Sequence, residues 1–337
     1  MVQIRLVKLH FSSAMHLGSD TKGVGVEMIQ PTAYSDTLFS CLINGYADLF
    51  GKTSTDNLLT KYLNEKEPPL RLSSGFLFSE GQYETKFFLP KPHLNPPDFF
   101  HPIFGVKRKI ENMKAVKKTE LILLDSFHDW ITGNDVSPKK FEMEDFSKYY
   151  SYEVRPQHTR DRLTDASSIY HTGLIHFNIN SGLYFLIGLN DDFLDWRKFN
   201  RLLTHAGKNG LGGRRSVGNG IFEAEIEDLT DDWARLINLP PQNGFITLSL
   251  YFPKNINTLK PIAYELVSRK GWSFSSSNFQ QIKRKSCMMF GEGSIFENEP
   301  AGKLVNVKPD DFHNHEVYRY GVPFRFPFKI LGDNHGS

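Results

Sequence analysis

Cysteine is almost absent from this 337-residue chain: only Cys41 and Cys287 occur, with no CxxC and no paired Cys/His spacing. That argues against a disulfide framework and a structural zinc site, and it fits a reducing, cytoplasmic setting. Long apolar runs are missing as well. The opening MVQIRLVKLHF alternates apolar residues with Gln3, Arg5 and Lys8, and no later window approaches the roughly 20 apolar residues of a membrane span, so neither an export signal nor a membrane segment is expected. Net charge is only +2, so any case for nucleic acid rests on where the charges lie. No HD pair, acidic metal cluster or Ser/Cys-His arrangement of recognisable spacing is present, and no catalytic residue, metal or cofactor is expected. Gly51-Lys52-Thr53 mimics the end of a Walker A motif, but the position of its first glycine holds Tyr46 and the tripeptide closes a helix instead of opening one.

What is there points to an α+β protein. Val2, Ile4 and Leu6 alternate with polar residues as in a half-buried strand. Leu38, Phe39, Leu42, Ile43, Tyr46, Leu49 and Phe50 recur at helical spacing, with Ser35 or Asp36 placed to cap the first turn and Gly51 to end the last. Strands near 75–79 and 83–89 join at Glu80-Gly81. The same order returns later: strands near 174–180 and 183–189, a helix over 192–206, strands at 221–227 and 245–252, a helix over 261–268, and a last strand from 271–275 or 287–290. The expectation is two tandem ferredoxin-like (RRM-like) domains, one over 1–150 with an insertion at about 95–150, the other over 151–337.

The strongest local signal is GKNGLGGRRSVGNG at 207–220, six glycines in fourteen positions where the chain's own glycine content gives about one. Glycine leaves the backbone bare, so consecutive N–H groups can approach a polyanion, while Lys208, Arg214 and Arg215 supply charge and Ser216 a hydroxyl. The segment follows a helix C-terminus, where the dipole repels phosphate, so loop amides and arginines would carry the binding. That separates it from a nucleotide-binding P-loop. The alternative from composition alone is a flexible hairpin loop with solvated arginines.

A strand ending in LHF, HLGS at 16–19, YSDTLFSCLINGYADLFG at 34–51 and the glycine-rich loop followed by a strand together resemble the RAMP superfamily of CRISPR proteins. The SDTLFSCLINGYADLFG helix and VYRYG at 317–321 are similar to the Csm-type subunit family of type III-A effector complexes that holds the 5′ handle of the crRNA. The resemblance implies a non-catalytic subunit of a hetero-oligomeric ribonucleoprotein in antiviral defence. It also implies binding to the crRNA 5′ handle and contacts with the large signature subunit and the backbone RAMP subunit. By position, Gly212, Gly213, Arg214, Arg215, Ser216 and Gly218 match the RNA-contacting loop, with Lys208 and Asn209 at its start, while His16 and Ser35 lie in the N-terminal motif. Tyr34 departs from the family's histidine at that place, so a role requiring imidazole is lost. HTRDRLTDASS at 158–168 resembles a segment near the guide, and Arg160 and Arg162 join the candidates, though an Arg-Asp-Arg cluster also makes surface ion pairs.

Two other readings stay open. A metal-free precursor-RNA processing endonuclease would use one of His10, His16, His158 or His171 as general base. A protein-interaction scaffold without RNA contact would use surfaces such as the acidic 223–232 stretch.

Overall fold

A computed structural model describes residues 3–18, 28–64, 67–96, 114, 116–134, 144–160, 167–190, 194–274 and 281–331. The chain opens with β1 (Gln3–Phe11), followed by α1 (Ser35–Asn64), β2 (Leu70–Leu72), β3 (Phe76–Glu80), β4 (Thr85–Pro90) and β5 (Leu121–Leu123). Then come α2 (Leu124–Thr132), the hairpin of β6 (Tyr150–Arg160) and β7 (Ser167–Phe177), β8 (Ser181–Leu189), α3 (Trp196–Asn209), β9 (Phe222–Glu227) and α4 (Asp231–Ile237). Short strands follow: β10 (Gly244–Thr247), β11 (Pro261–Ala263), β12 (Leu266–Arg269), β13 (Trp272–Phe274) and β14 (Gln281–Lys283). The last are β15 (Cys287–Phe290), β16 (Ile295–Phe296), β17 (Lys303–Asn306), β18 (Tyr318–Gly321) and β19 (Arg325–Phe328).

The α+β reading holds, with several antiparallel sheets, and strands from both halves of the chain share one of them. A seven-stranded sheet runs β5-β4-β3-β8-β1-β9, with β2 also on β8. β1 lies antiparallel to both β8 (Leu9↔Leu183) and β9 (Phe11↔Phe222). Chain order β1-α1-β3-β8-α3-β9 with sheet order β3-β8-β1-β9 is that of one ferredoxin-like unit. Residues 81–180 are inserted between its second and third strands. Residue 150 falls within that insertion. Alternation of apolar residues identifies strands; it does not say which strands pair.

One sheet face packs on α1 and α3 through Val7, Leu9, Phe39, Leu42, Phe185 and Leu202. The other carries Leu6, Phe78, Tyr184 and Leu186 and is covered by Trp130 of α2, Trp233 of α4, and Ile246 and Phe326 of the C-terminal strands. At these positions both faces are covered, unlike the open sheet on which bases stack in an RRM. Where the second face opens, beside Lys8 and His10, it bears Glu80, Glu225 and Glu227; the Lys8 ammonium sits 2.9 Å from Glu80 and 2.7 Å from Glu227.

The helix expected over 261–268 is instead the two strands β11 and β12. Pro261 supplies no amide, and the segment pairs with β16 and β15. α1 breaks at Gly51 (φ 79°, ψ 170°), where the first helical run was expected to end, and then resumes.

α1 is bolted to the C-terminal strands at its first turn. Asp36, 1% exposed, accepts from Arg269 Nη2 at 2.9 Å and Nε at 3.1 Å, and also from Arg319 Nη1. Burial alone would raise this carboxyl, but the charges and hydrogen bonds of Arg269 and Arg319 outweigh it and hold it below its ordinary value. Tyr320 adds a ring contact to Phe39 at 4.9 Å and accepts from Leu72 N–H at 2.9 Å. The SDT and VYRYG segments, far apart in sequence, thus meet in the core.

Candidate nucleic-acid interface

The glycine-rich segment begins inside α3, whose start is capped by Asp195 accepting from Lys198 N–H. Its amphipathic side, Phe199, Leu202, Leu203 and Ala206, is buried and fixes where the loop emerges. Beyond Gly210 the chain turns back on itself. Leu211 N–H donates to Gly220 O and Gly220 N–H to Ala14 O, each at 2.8 Å. A Cβ on Gly220 (φ +77°) would stand 2.0 Å from Leu211 O, so only glycine closes this turn. The amides of Gly213, Val217 and Gly218 are engaged too, with His16, Arg214 and Arg215 carbonyls. The loop is therefore a folded turn, and the expectation that its backbone offers a run of free N–H groups is corrected for these positions.

Side chains face the groove that remains between this turn and the β6–β7 hairpin. Arg214 (φ 57°) directs Nη1 to the Tyr170 hydroxyl and Nη2 to Gln157 Oε1, each at 3.2 Å. Arg155, Gln157, Thr172, Leu174, Val217 and Asn219 complete the lining. Thr172 Oγ1 is buried with no partner among the described residues. An unsatisfied buried hydroxyl beside two arginines is a place where a polar ligand atom lowers the free energy. Arg155 is exposed and forms a two-pronged pair with Glu153, which also accepts from His176 Nε2 at 2.7 Å.

The structure brings some expected residues together and removes others. Gly212, Gly213, Arg214, Arg215, Ser216 and Gly218 share the turn, and Ser216 and Gly218 are exposed. Arg215 is half-buried and near Cys41, whose thiol is pushed up to about 11 by burial, against the opposing effect of Arg215. His16 is a positioning residue: its carbonyl accepts from Gly213 N–H at 2.8 Å, and its Nδ1 lies 2.8 Å from Gly173 O of β7. Lys208 is exposed on the last turn of α3, but Asn209 turns toward α1, contacting Asp48 and His205. Ser35 is not available to RNA. It is fully buried, its hydroxyl accepting from Leu250 N–H and its amide donating to Ser74 Oγ. Arg162 lies outside the described residues, as does the side chain of Arg160 at the end of β6.

Sequence reasoning missed Arg155, Gln157, Tyr170 and Thr172. The register Arg155↔Thr172 and Gln157↔Tyr170 places all four on one hairpin face. Alternation of Tyr150, Tyr152 and Val154 with Ser151, Glu153 and Arg155 was the signal that would have found its first strand. Among the histidines considered as bases, His10 packs edge-on against Phe78, and His158 and His171 stand on the hairpin's opposite face. His10, Glu80 and Glu225 bring ligand atoms within 4.8 Å of one another, beside the Lys8 ammonium that already balances Glu80.

Residues 241–328 match the model of the CRISPR Csm4 C-terminal domain. Along nearly the whole chain there is similarity to CRISPR system Cms protein Csm4 from three organisms. The Thermococcus onnurineus protein is 28% identical over 293 residues, 86% of this chain and 89% of the relative. That of Methanocaldococcus jannaschii is 26% identical, covering 98% and 99%, and that of Streptococcus thermophilus 24%, covering 97% and 99%. The fold matches a chain in a Csm1-Csm4 cassette bound to pppApA (TM-score 0.63, 19% identity, 98% of this chain and 99% of the other). It also matches one in a Csm3-Csm4 subcomplex of a type III-A interference complex (TM-score 0.62, 20% identity, 97% and 100%). The resemblance to the RAMP-type Csm subunit, read from the loop and the SDTLF helix, is borne out. No helix is long and apolar enough to cross a membrane.

Proposed function

Proceeding from this likeness to the Csm4 proteins of CRISPR systems, we propose that the chain is the non-catalytic subunit that holds the crRNA 5′ handle in a type III-A effector complex. It bridges a Csm1-like large subunit and Csm3-like backbone subunits, the partners that its structural relatives are seen with. The observation that carries the RNA-binding half is the groove between the 210–220 turn and the β6–β7 hairpin. There Arg214, braced by Tyr170 and Gln157, faces Arg155 and the unsatisfied Thr172 hydroxyl. Guanidinium groups held in a fixed position suit phosphate better than mobile ones. Ser216 and Gly218 lie exposed on the same turn and extend this surface, with Lys208 exposed where α3 ends. Arg160 and Arg162, on the distal part of the hairpin sequence, belong to the same proposal. A cytoplasmic setting goes with it.

The test is to express the chain with its genomic neighbours, purify the assembly and sequence the RNA that copurifies, while assaying the isolated chain for metal-free cleavage of repeat RNA. Guides sharing one 5′ end, with no cleavage, support the handle-binding role. Cleavage abolished by one His→Ala change makes the chain a processing enzyme, and an assembly free of RNA makes it a scaffold.

A further inference from the structure

A second acid-free basic stretch of the chain lies outside the groove just described. From Leu266 to Gly291, 26 residues, there is no aspartate or glutamate, but five bases: Arg269, Lys270, Lys283, Arg284 and Lys285. Its described residues, 266–274 and 281–291, run largely as paired strands. β12 pairs with β15 and β13 with β14, and Arg284 N–H to Gly271 O, 3.0 Å, continues the ladder across the kink at Gly271 (φ +122°). At its root Arg269 and Arg319 share the single carboxylate of Asp36, and Arg284 has a buried Nε without a partner among the described residues. Burial, with repulsion from Arg319 and Arg269, pushes the Arg284 guanidinium down to about 10. This root thus holds more positive charge than it neutralises.

Further out stands Trp272, 62% exposed, although the other three tryptophans of the chain are buried or half-buried. An indole costs free energy in water unless something covers it. It lies directly across the ladder from Lys283, so the two side chains share a face. Lys270 and Lys283 are both exposed, and neither has an acidic partner among the described residues. A flat aromatic flanked by unpaired ammonium groups is the arrangement that holds unpaired bases by stacking and the intervening phosphates by charge, without reading sequence. A protein partner would need acidic residues to match the same surface; a nucleic-acid strand supplies a negative charge at every step.

We propose that the paired strands β12–β15 and β13–β14 form a second nucleic-acid contact, at which an unpaired RNA base stacks on Trp272 while Lys270 and Lys283 hold the adjoining phosphates. The site is independent of the handle-binding reading, because none of its residues lines the groove at Arg214.

The experiment uses the full-length chain and a short labelled oligouridylate, single-stranded or annealed to oligoadenylate, followed by anisotropy and tryptophan fluorescence. The single strand should quench the exposed indole. Trp272→Ala should weaken binding about tenfold, the size of one base–aromatic stack. A Lys270→Gln/Lys283→Gln double variant should lower the salt slope by about 0.7 for each phosphate no longer neutralised. Arg214→Ala/Arg215→Ala should leave the quenching in place, so loss of guide binding in that variant with quenching retained separates failure of one reading from failure of the other. Unchanged affinity in Trp272→Ala, equal binding of the duplex, or quenching only when a protein subunit is added would each overturn the proposal. Trp272 is exposed, and an unaltered thermal transition in Trp272→Ala confirms that any weakening comes from the missing indole and not from unfolding.

Discussion

Asp36→Asn removes one charge from the core and little else. Asn keeps the volume and one acceptor oxygen, so no cavity enters the comparison. What disappears is the carboxylate that accepts from both Arg269 and Arg319. Among the described residues Glu292 senses Arg269, but burial pushes it up to about 7. The variant therefore strands two buried guanidiniums, with Arg284 close enough to repel them. Breaking a buried pair by removing one partner costs about 3–5 kcal/mol. Urea unfolding followed by far-UV circular dichroism should show a loss of that size, with the slope unchanged. The wild type should also lose stability in acid. A carboxyl held below its ordinary value contributes stability that is complete above that value and disappears as pH falls through the lower folded one. The variant should lack this acid limb. A loss under about 1 kcal/mol, or an acid limb that survives in Asp36→Asn, would refute the assignment of this pair as the bolt between α1 and the C-terminal strands.

Arg214→Ala/Arg215→Ala should weaken guide RNA and flatten the dependence of affinity on salt, by about 0.7 in slope for every phosphate released; a salt titration with the same slope as wild type counts against the groove. Gly213→Val should fail for an internal reason, since a Cβ there would lie 2.7 Å from the His16 ring, and limited proteolysis of the free chain should show a loosened loop even before RNA is added. Glu292→Gln should raise stability at alkaline pH. A carboxyl whose folded value is lifted from 4.5 to about 7 favours the fold fully below 4.5 and ceases to do so as pH rises through about 7. Melting temperatures across pH 5 to 9 should slope downward in wild type and be flatter in the variant.

Local pattern revealed the elements that depend on local pattern. α1, β1, the β3–β4 hairpin and α3 follow from apolar spacing, caps and a glycine-marked turn. Asp36 and Ser35 were misread because their partners lie 233, 283 and 215 residues away, a distance that no window along the chain spans. A first-turn aspartate reads as a cap when its arginines are out of sight. The glycines of the loop were legible as unusual, but their reason was not: Gly213 clears the His16 ring, and Gly220 clears Leu211 O. The groove's second wall escaped because a hairpin face becomes visible only once register is known, and the 261–268 segment misled because Pro, Ile and Ala at its start favour no single element.

The placement of β8 has a consequence for biosynthesis. All nine of its residues are buried, and it hydrogen-bonds to β1, β2 and β3. A ribosome delivers β1 and α1 long before residue 189. Until then β1 and β3 have unpaired edges and uncovered apolar faces, the condition in which nascent chains stick to one another. A chain that must wait for its middle strand benefits from a shield during synthesis, whether a chaperone or an assembly partner already present. A gene split at the expected boundary near residue 150 would separate β1 and β3 from β8, with which both pair.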